Sequence, residues 1–270
     1  MTAPGEEAEW ADEAKMPDEG KMPGEVKMPM TGHLAELRSR LLKVVWCILG
    51  ASVVAYFFSD RLIALLKHPL AGDLYFFAPI EPFWVTLKVS FFAGLFLSFP
   101  FSLFQLWRFI APGMLPGERR YALPFVILGS LFFILGLMFC YFIVFPFALN
   151  FLVTFGINQG LDSMLSIGRY MDFMLKFLLA FGLVFELPLT ITLLARLGIV
   201  TAAGLSRYRH YAILGNALLA AILTPTGDIF NMMLMMGPLI LFYELGILGA
   251  RFFGRKPRVE TTMEEAETGV

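Results

Sequence analysis

Long apolar segments separated by short polar ones dominate the chain from about residue 41 onward. The six segments cover approximately residues 41 to 58, 83 to 106, 122 to 147, 170 to 195, 211 to 224 and 229 to 250. A helix needs about 20 residues to cross a hydrocarbon core of about 30 Å, so the second, third and fourth segments are long enough to span a bilayer. The pattern predicts an all-α, polytopic membrane protein with six transmembrane helices.

The fifth segment is too short for an ordinary span. Its residues from Tyr211 to Thr224 reach only about 21 Å at about 1.5 Å per residue. The sequence Pro225-Thr226-Gly227-Asp228 then reverses the chain. We therefore predict that short fifth and sixth helices form a hairpin whose turn stops before the far membrane surface, where the bilayer is locally thinner.

Amphipathic segments flank the first span on both sides. Before it, leucines recur at helical spacing from Leu34 to Leu42, which predicts a short amphipathic helix leading into the membrane. After it, four apolar residues at positions 62 to 66, just before Pro69, predict an interfacial helix. Residues 148 to 169 form a second, mostly apolar loop on the same face, and together the two loops are predicted to make an outer cap.

A segment broken by proline and glycine, Trp107 to Arg120, separates the second and third apolar segments. Pro112 and Pro116 lack an N–H donor and each is followed by a glycine, so no regular helix should run through the segment. It nevertheless contains apolar residues such as Phe109 and Met114, which a solvated linker does not need. We interpret the segment as a docking surface.

Composition and charge support the membrane class and set the orientation. The 270 residues are 58% hydrophobic and only 16% charged, which is typical of a polytopic membrane protein. If the N-terminus is inside, thirteen cations lie beside the spans on the inner face and three on the outer face. The inner set is Arg38, Arg40, Lys43, Arg108, Arg119, Arg120, Arg196, Arg207, Arg209, Arg251, Arg255, Lys256 and Arg258, and the outer set is Arg61, Lys67 and Arg169. The positive-inside rule therefore predicts that both termini are cytoplasmic.

Three regions follow from these patterns. Residues 1–30 repeat Lys-Met-Pro three times amid Glu, Asp and Gly, which predicts a disordered cytoplasmic tail. Residues 31–255 form the six-helix transmembrane domain, and residues 256–270 form an acidic cytoplasmic tail.

No pattern of an enzyme is present in the sequence. The phosphate-binding motif GxxxxGK[ST] is absent, and no histidine lies in the middle of a span where it would hold a haem. No zinc-type spacing of His and Cys occurs, and no Ser/His/Asp set can be argued. We predict a protein that is not an enzyme and that uses no cofactor and no metal.

Charged residues inside the predicted spans are functional candidates, because burying a charge in hydrocarbon is costly. Glu186 lies in the fourth span, two residues before Pro188, which removes a backbone hydrogen bond. It is either a functional acid or a protonated acid that only bonds within its own bundle. Lys88 and Lys176 lie where they can extend to the outer surface, and we interpret both mainly as anchors.

Two carboxylates, Glu36 and Glu118, stand out against the cationic inner face. The cations there are explained by topology alone, and Glu118 beside Arg119 and Arg120 by a solvated ion pair. Alternatively, Glu36 and Glu118 jointly accept guanidinium groups from a ligand, since carboxylates bind arginine in a bidentate manner.

Four motifs then identify a family. They are HLAELRSRL from His33, FIAPGMLPGERR from Phe109, FELPL from Phe185 and LTPTGD from Leu223. In this order, in a six-span chain, they resemble the TatC family, the core subunits of the twin-arginine protein translocase. The resemblance covers about residues 31 to 255. It implies a concave, glove-like receptor in the inner membrane that binds twin-arginine signal peptides of folded cargo, assembles with TatA, TatB and further copies of itself, and is driven by the proton motive force.

The resemblance also implies site residues. Glu36 and Glu118 fall on signal-peptide contact positions of the family, with Arg38, Phe109 and Met114 beside them. These five residues form the implied signal-peptide site.

Further matches lie in and beyond the membrane. Glu186 falls on the family's buried acid, and Pro69 and the turn at Asp228 match positions tied to the outer cap and to a partner site on the fifth helix. The turn TPTGD is one residue longer than the family's common TPPD form. Thr224 is retained, and Met232 stands where an amide often supports partner binding.

Two other functions are open at this point. A proton-coupled secondary transporter would use Glu186 as a proton relay, and it predicts internal repeats and broken helices that we do not find in the sequence. A passive scaffold for single-span proteins would leave Glu118 unimportant.

Overall fold

The computed structural model describes residues 30–70, 72–111, 122–160, 162, 164–223 and 228–254. The predicted tails lie outside these residues, apart from Met30, where the first helix begins. The helices are α1 (Met30–Tyr56), α2 (Ser59–Lys67), α3 (Glu81–Leu97), α4 (Phe99–Ile110), α5 (Ala122–Phe139), α6 (Phe145–Asn158), α7 (Ile167–Phe185), α8 (Leu187–Arg196), α9 (Ala202–Arg207), α10 (Arg209–Leu223) and α11 (Ile229–Phe253). A π-helical segment, Cys140–Val144, joins α5 to α6, and two short strands are β1 (Leu74–Tyr75) and β2 (Leu165–Ser166). The all-α prediction is confirmed.

Four helical stretches of the described residues are long and apolar enough to cross a membrane. They are Leu34–Tyr56, Leu123–Asn158, Ile167–Arg196 and Ile229–Phe253, and α3 and α4 pass the same test only when the bent pair is taken as one span. Helix α10 has 15 residues and is about 22 Å long, as predicted for the short fifth helix. The prediction of a short sixth helix is wrong, because α11 accommodates Pro238 and extends over 25 residues.

Three of the spans contain a proline in the first turn of a helical element, and two of them are interrupted just before it. Pro100, Pro146 and Pro188 each lie in the first turn of a helix, in α4, α6 and α8 respectively. A proline has no N–H donor and disfavours the helical conformation of the residue before it. The chain therefore breaks at Ser98, where α3 and α4 differ by 48°, and at Glu186.

Helix α7 is the centre of the bundle. Its side chains Met171, Met174, Phe177 and Phe181 are fully buried, and the helix contacts α3, α5, α10 and α11. Buried residues extend along α7 from Tyr170 to Phe185 and leave a narrow exposed face at Lys176 and Leu183, so α7 is the core element.

Glycines allow two close approaches between helices, as is common in membrane bundles. A Cβ on Gly136 of α5 would lie 2.7 Å from the Phe181 carbonyl oxygen of α7. A Cβ on Gly94 of α3 would lie 2.6 Å from the Ser52 Cα of α1. Both distances are shorter than real Cβ atoms tolerate, so the helices pack here through bare backbone.

One end of the bundle, which we call the strand end, is formed by α2, β1 and β2. The strands are parallel, with Leu74 opposite Leu165. Glu81, the first residue of α3, accepts the backbone N–H groups of Phe77 and Gly168, each at 2.8 Å, and the hydroxyl of Ser166. The two loops are thus joined into one cap by main-chain and carboxylate hydrogen bonds.

Two tyrosines form hydrogen bonds to the C-terminal end of helix α2. The hydroxyl groups of Tyr141 and Tyr170 donate to the carbonyl oxygens of Leu65 and Leu66 at 2.7 Å and 2.9 Å. Half-buried Pro69 lies in the turn that follows the helix. The helix predicted before Pro69 is confirmed.

The second predicted loop, residues 148 to 169, is largely wrong. Helix α6 carries the third span on to Asn158, because the π-helical segment lets the helix continue through Pro146. The true connection lies between α6 and β2.

Lys88 is more than an anchor. Its Nζ lies 2.7 Å and 2.9 Å from the two carboxylate oxygens of Asp172 on α7. Both side chains are about two-fifths exposed. The pair therefore links α3 to α7 below a cavity of about 1000 Å³ at the strand end, which Asp172 also lines.

Candidate functional site

The crossing of α1 and α4 brings a charged group and an amide together at the end of the bundle opposite the strands. Arg40 Nε donates to Glu36 Oε1 at 2.9 Å, and Arg40 Nη2 donates to the same oxygen. Arg40 Nη1 reaches Gln105 Oε1 on α4 at 3.4 Å. The Arg40 side chain is only 14% exposed and that of Glu36 24%, so the guanidinium is enclosed between the two helices.

Helical geometry explains this arrangement. Glu36 and Arg40 are four residues apart and so lie on one face of α1, where opposite charges attract. Gln105 is 7% exposed, and its buried amide oxygen needs a donor. Sequence reasoning missed the roles of Arg40 and Gln105. The i, i+4 spacing of Glu36 and Arg40 was the signal that could have revealed the first of them.

Apolar side chains lie near this charged group, on a different face of α1 and on α4. Leu34, Leu37 and Leu41 of α1 are 64%, 42% and 59% exposed. Phe109 is half-buried on α4, one helical turn after Gln105, and therefore lies on the same side of that helix. We call the surface formed by Glu36, Arg40, Gln105 and Phe109 the Glu36 patch.

The other residues of the implied signal-peptide site do not all join this patch. Arg38 is exposed, and two residues of helix turn it about 160° away from Glu36. Met114 and Glu118 lie outside the described residues.

The segment from Trp107 to Arg120 was predicted not to be helical, but its first residues, Trp107 to Ile110, belong to α4. Helix α4 includes Trp107 and continues to Ile110, because the first helix-breaking proline comes only at position 112. Trp107 is 3% exposed and stacks on Phe125 with ring centroids 4.8 Å apart. Its indole N–H has no hydrogen-bond acceptor among the described residues.

Glu186 forms the break between α7 and α8. It is 8% exposed, and its Oε1 has no hydrogen-bond donor within the part of the chain that the structure describes. Its backbone is fully engaged: its N–H donates to the Leu183 carbonyl at 3.1 Å and its carbonyl accepts from Thr190 at 2.9 Å. The adjacent Gly129 leaves room for the carboxyl, since a Cβ there would lie 3.2 Å from Oε2.

The start of α11 contains a polar cluster. Asp228 caps the helix by accepting the backbone N–H of Asn231 at 2.7 Å and its side-chain amide at 2.9 Å. Met232 is half-buried and packs against the core. The fully buried amide is Asn231, one position earlier, which the sequence comparison with the shorter family turn did not reveal. Thr224 lies outside the described residues.

Comparison with known proteins places these features in a family. The sequence model of the family TatC, Sec-independent protein translocase protein, matches residues 32–238. A protein of that name from Desulforapulum autotrophicum is 41% identical over 232 residues, covering 84% of this chain and 85% of the relative. The Aquifex aeolicus protein of the same name is 36% identical over 235 residues, covering 85% and 97%.

A solved structure is similar as well. The crystal structure of a twin arginine translocase receptor, TatC, superposes with a TM-score of 0.75 at 35% identity, covering 83% of this chain and 100% of that chain. These relatives are translocase components and not enzymes, and they do not favour the secondary transporter, although several spans here are interrupted. The chain therefore belongs to the TatC family of Sec-independent protein translocase proteins.

Proposed function

We propose that this protein is the signal-peptide receptor and core subunit of a translocase that exports folded proteins carrying twin-arginine signal peptides. Glu36, together with Glu118, binds the arginine pair of the signal peptide. The observation that carries the proposal is that Glu36 already accepts a guanidinium, that of Arg40, where both side chains are partly buried. The solved relative is itself described as a twin arginine translocase receptor.

The proposed specificity follows from donor geometry. A guanidinium presents a planar fork of N–H donors to a carboxylate, whereas an ammonium is a compact point charge. A hydrogen bond between charged groups contributes about 1.5 to 3 kcal/mol, which corresponds to roughly tenfold to a hundredfold in affinity per carboxylate.

The apolar part of the signal peptide has a matching surface. The exposed leucines on the other face of α1, with Phe109 and Met114, contact the hydrophobic stretch that follows the arginine pair. Arg38, on another face of α1, contributes to binding from the flank. The hydrophobic stretch then moves along the bundle toward Glu186, where a buried oxygen without a donor among the described residues is suited to a polar group of a partner helix.

The proposed partners are the single-span subunits TatA and TatB, further copies of this chain, and membrane lipid, with no nucleic acid. The short α10 and the start of α11 offer them a surface near Thr224, Asp228 and Met232. Export is driven by the proton motive force, in keeping with the lack of a nucleotide-binding motif.

We further propose that the protein lies in the inner membrane with both termini cytoplasmic, which the distribution of cations supports. The six-helix domain, residues 31–255, then lies between two cytoplasmic tails, and Pro69 belongs to the outer cap.

Peptide capture tests the proposal. The purified protein in detergent is mixed with a fluorescent twin-arginine signal peptide, or with its twin-lysine version, and anisotropy gives the affinity. Glu36→Gln and Glu118→Gln are each expected to weaken binding of the arginine peptide by about tenfold or more.

Glu244→Gln is the matched control. Glu244 is a carboxylate paired with Arg209 at 2.8 Å, away from the Glu36 patch, so its variant should bind as the unmutated protein does. Equal affinity of Glu36→Gln, Glu118→Gln and the unmutated protein for the arginine peptide would rule out the proposed site.

A further inference from the structure

We propose that Arg40 is a resident ligand of Glu36, that a signal-peptide arginine binds by displacing it, and that Arg40 thereby sets the affinity of the receptor. The inference rests on the proposed function, because it takes Glu36 as a contact of the incoming arginine. It adds a competitor that belongs to the receptor itself.

The geometry of the pair is that of a bound ligand. Two nitrogens of Arg40, Nε and Nη2, donate to one oxygen of Glu36. The third, Nη1, donates to the side-chain oxygen of Gln105 on the neighbouring helix. Both donors lie on Oε1 and Oε2 is buried, so Arg40 holds the oxygen that an arginine from another chain would need for a bidentate pair. Arg40 therefore occupies the place that the proposed ligand needs.

Arg40 is less exposed to solvent than the cations of the other ion pairs among the described residues. The pairs Lys88–Asp172 and Arg209–Glu244 join different helices through side chains that are 40% to 47% exposed. Arg40 is only 14% exposed. An i, i+4 pair on an exposed helix surface stabilises weakly, whereas this one is partly shielded from water and held by a second helix.

Displacement has a defined consequence for binding. Any cationic ligand of Glu36 must first break the bond to Arg40, so the resident arginine lowers the affinity of arginine and lysine peptides by the same factor. The ratio between the two affinities does not change. What changes is the absolute affinity. A peptide that makes weaker contacts elsewhere can therefore fail to bind while Arg40 is present.

Two substitutions of Arg40 test the competition. Arg40→Gln removes the guanidinium but keeps an amide that can donate to Gln105. Arg40→Lys keeps the charge but loses the fork. Arg40→Gln is expected to tighten binding of twin-arginine and twin-lysine peptides equally, by about threefold to tenfold, and Arg40→Lys by a smaller factor.

The control removes the same charge from the same helix. Lys43 is an exposed cation three residues further along α1, so Lys43→Gln measures the general loss of repulsion toward a cationic peptide. The gain from Arg40→Gln must exceed the gain from Lys43→Gln. It must also vanish in a Glu36→Gln background, where no carboxylate remains to be released.

Each result decides one of the two proposals. If Glu36→Gln alone leaves peptide binding unchanged, the proposed function fails, whatever Arg40 does. If Glu36→Gln weakens binding but a folded Arg40→Gln binds no more tightly than the unmutated protein, the displacement is refuted. If Arg40→Gln unfolds at a lower temperature, Arg40→Lys decides: equal or weaker peptide binding by that variant refutes the displacement.

Discussion

Replacing Gly94 by alanine tests whether α1 and α3 pack through bare backbone. An alanine Cβ at this position would lie 2.5 Å from the Ser52 amide nitrogen and 2.6 Å from its Cα. Ordinary contacts begin at 3.4 Å, so the helices would have to separate by about 0.8 Å, and overpacking of this kind is destabilising. Rotation of a side chain cannot relieve a contact with backbone atoms.

The size of the effect follows from two opposing contributions. Alanine favours a helix over glycine by about 1 kcal/mol, while overpacking costs about 1 to 3 kcal/mol, and a clash with backbone atoms such as those of Ser52 lies in the upper part of that range, at about 2 to 3 kcal/mol. We expect Gly94→Ala to lower the free energy of unfolding by about 1 to 2 kcal/mol. Gly50 lies in α1 with no atom within 4 Å of its would-be Cβ, so Gly50→Ala should instead stabilise by up to about 1 kcal/mol.

The assay is unfolding in mixed micelles with increasing SDS, followed by circular dichroism. Gly50→Ala and the unmutated protein are measured in parallel. Adding Ser52→Gly to Gly94→Ala should restore only part of the stability, because that substitution removes the Ser52 side chain but leaves its backbone in place. Unchanged or higher stability of Gly94→Ala would refute the close approach of the two helices.

The remaining predictions concern two acids. Glu186→Leu should raise the free energy of unfolding by about 1 to 3 kcal/mol, because a buried polar group without a hydrogen-bond donor is costly. It should also impair export; a loss of stability in the same SDS titration would contradict the first expectation. Glu81→Gln should speed proteolysis of the loops at the strand end, because an amide cannot accept all three donors that Glu81 now binds. Asp162→Asn, in the same cavity, is the control, and equal cleavage of both variants would exclude a role of Glu81 in closing the cap.

The spans could be predicted because hydrophobicity over about 20 residues is a local property of the sequence. The same holds for α2, whose leucines alternate at helical spacing before Pro69. The interruptions were harder, because a proline in the first turn of a new helix looks the same as one inside a kinked helix. Average hydrophobicity does not show how a helix packs against its neighbours. It therefore did not predict that α6 continues to Asn158 or that α11 is so long.

The candidate site was predicted in part. Glu36 stood out because its charge opposes that of the surrounding cations, and Phe109 because it is apolar beside a proline-broken segment. Contacts between distant residues could not be predicted. Gln105 meets Arg40, and Lys88 meets Asp172, only because the helices that carry them are adjacent in the fold.

The hydrogen bonds of Glu81 also constrain the order in which the protein assembles. Gly168, one of its donors, lies 87 residues further along the chain. Strand β1 likewise pairs with a strand, β2, that is synthesised much later. Contacts this distant in sequence form late, because the intervening chain must first be positioned. During synthesis, the helices that precede β2 are therefore made while the loop before α3 still lacks its hydrogen bonds to the β2 segment. The cap can therefore form only after the chain has been synthesised beyond the start of α7.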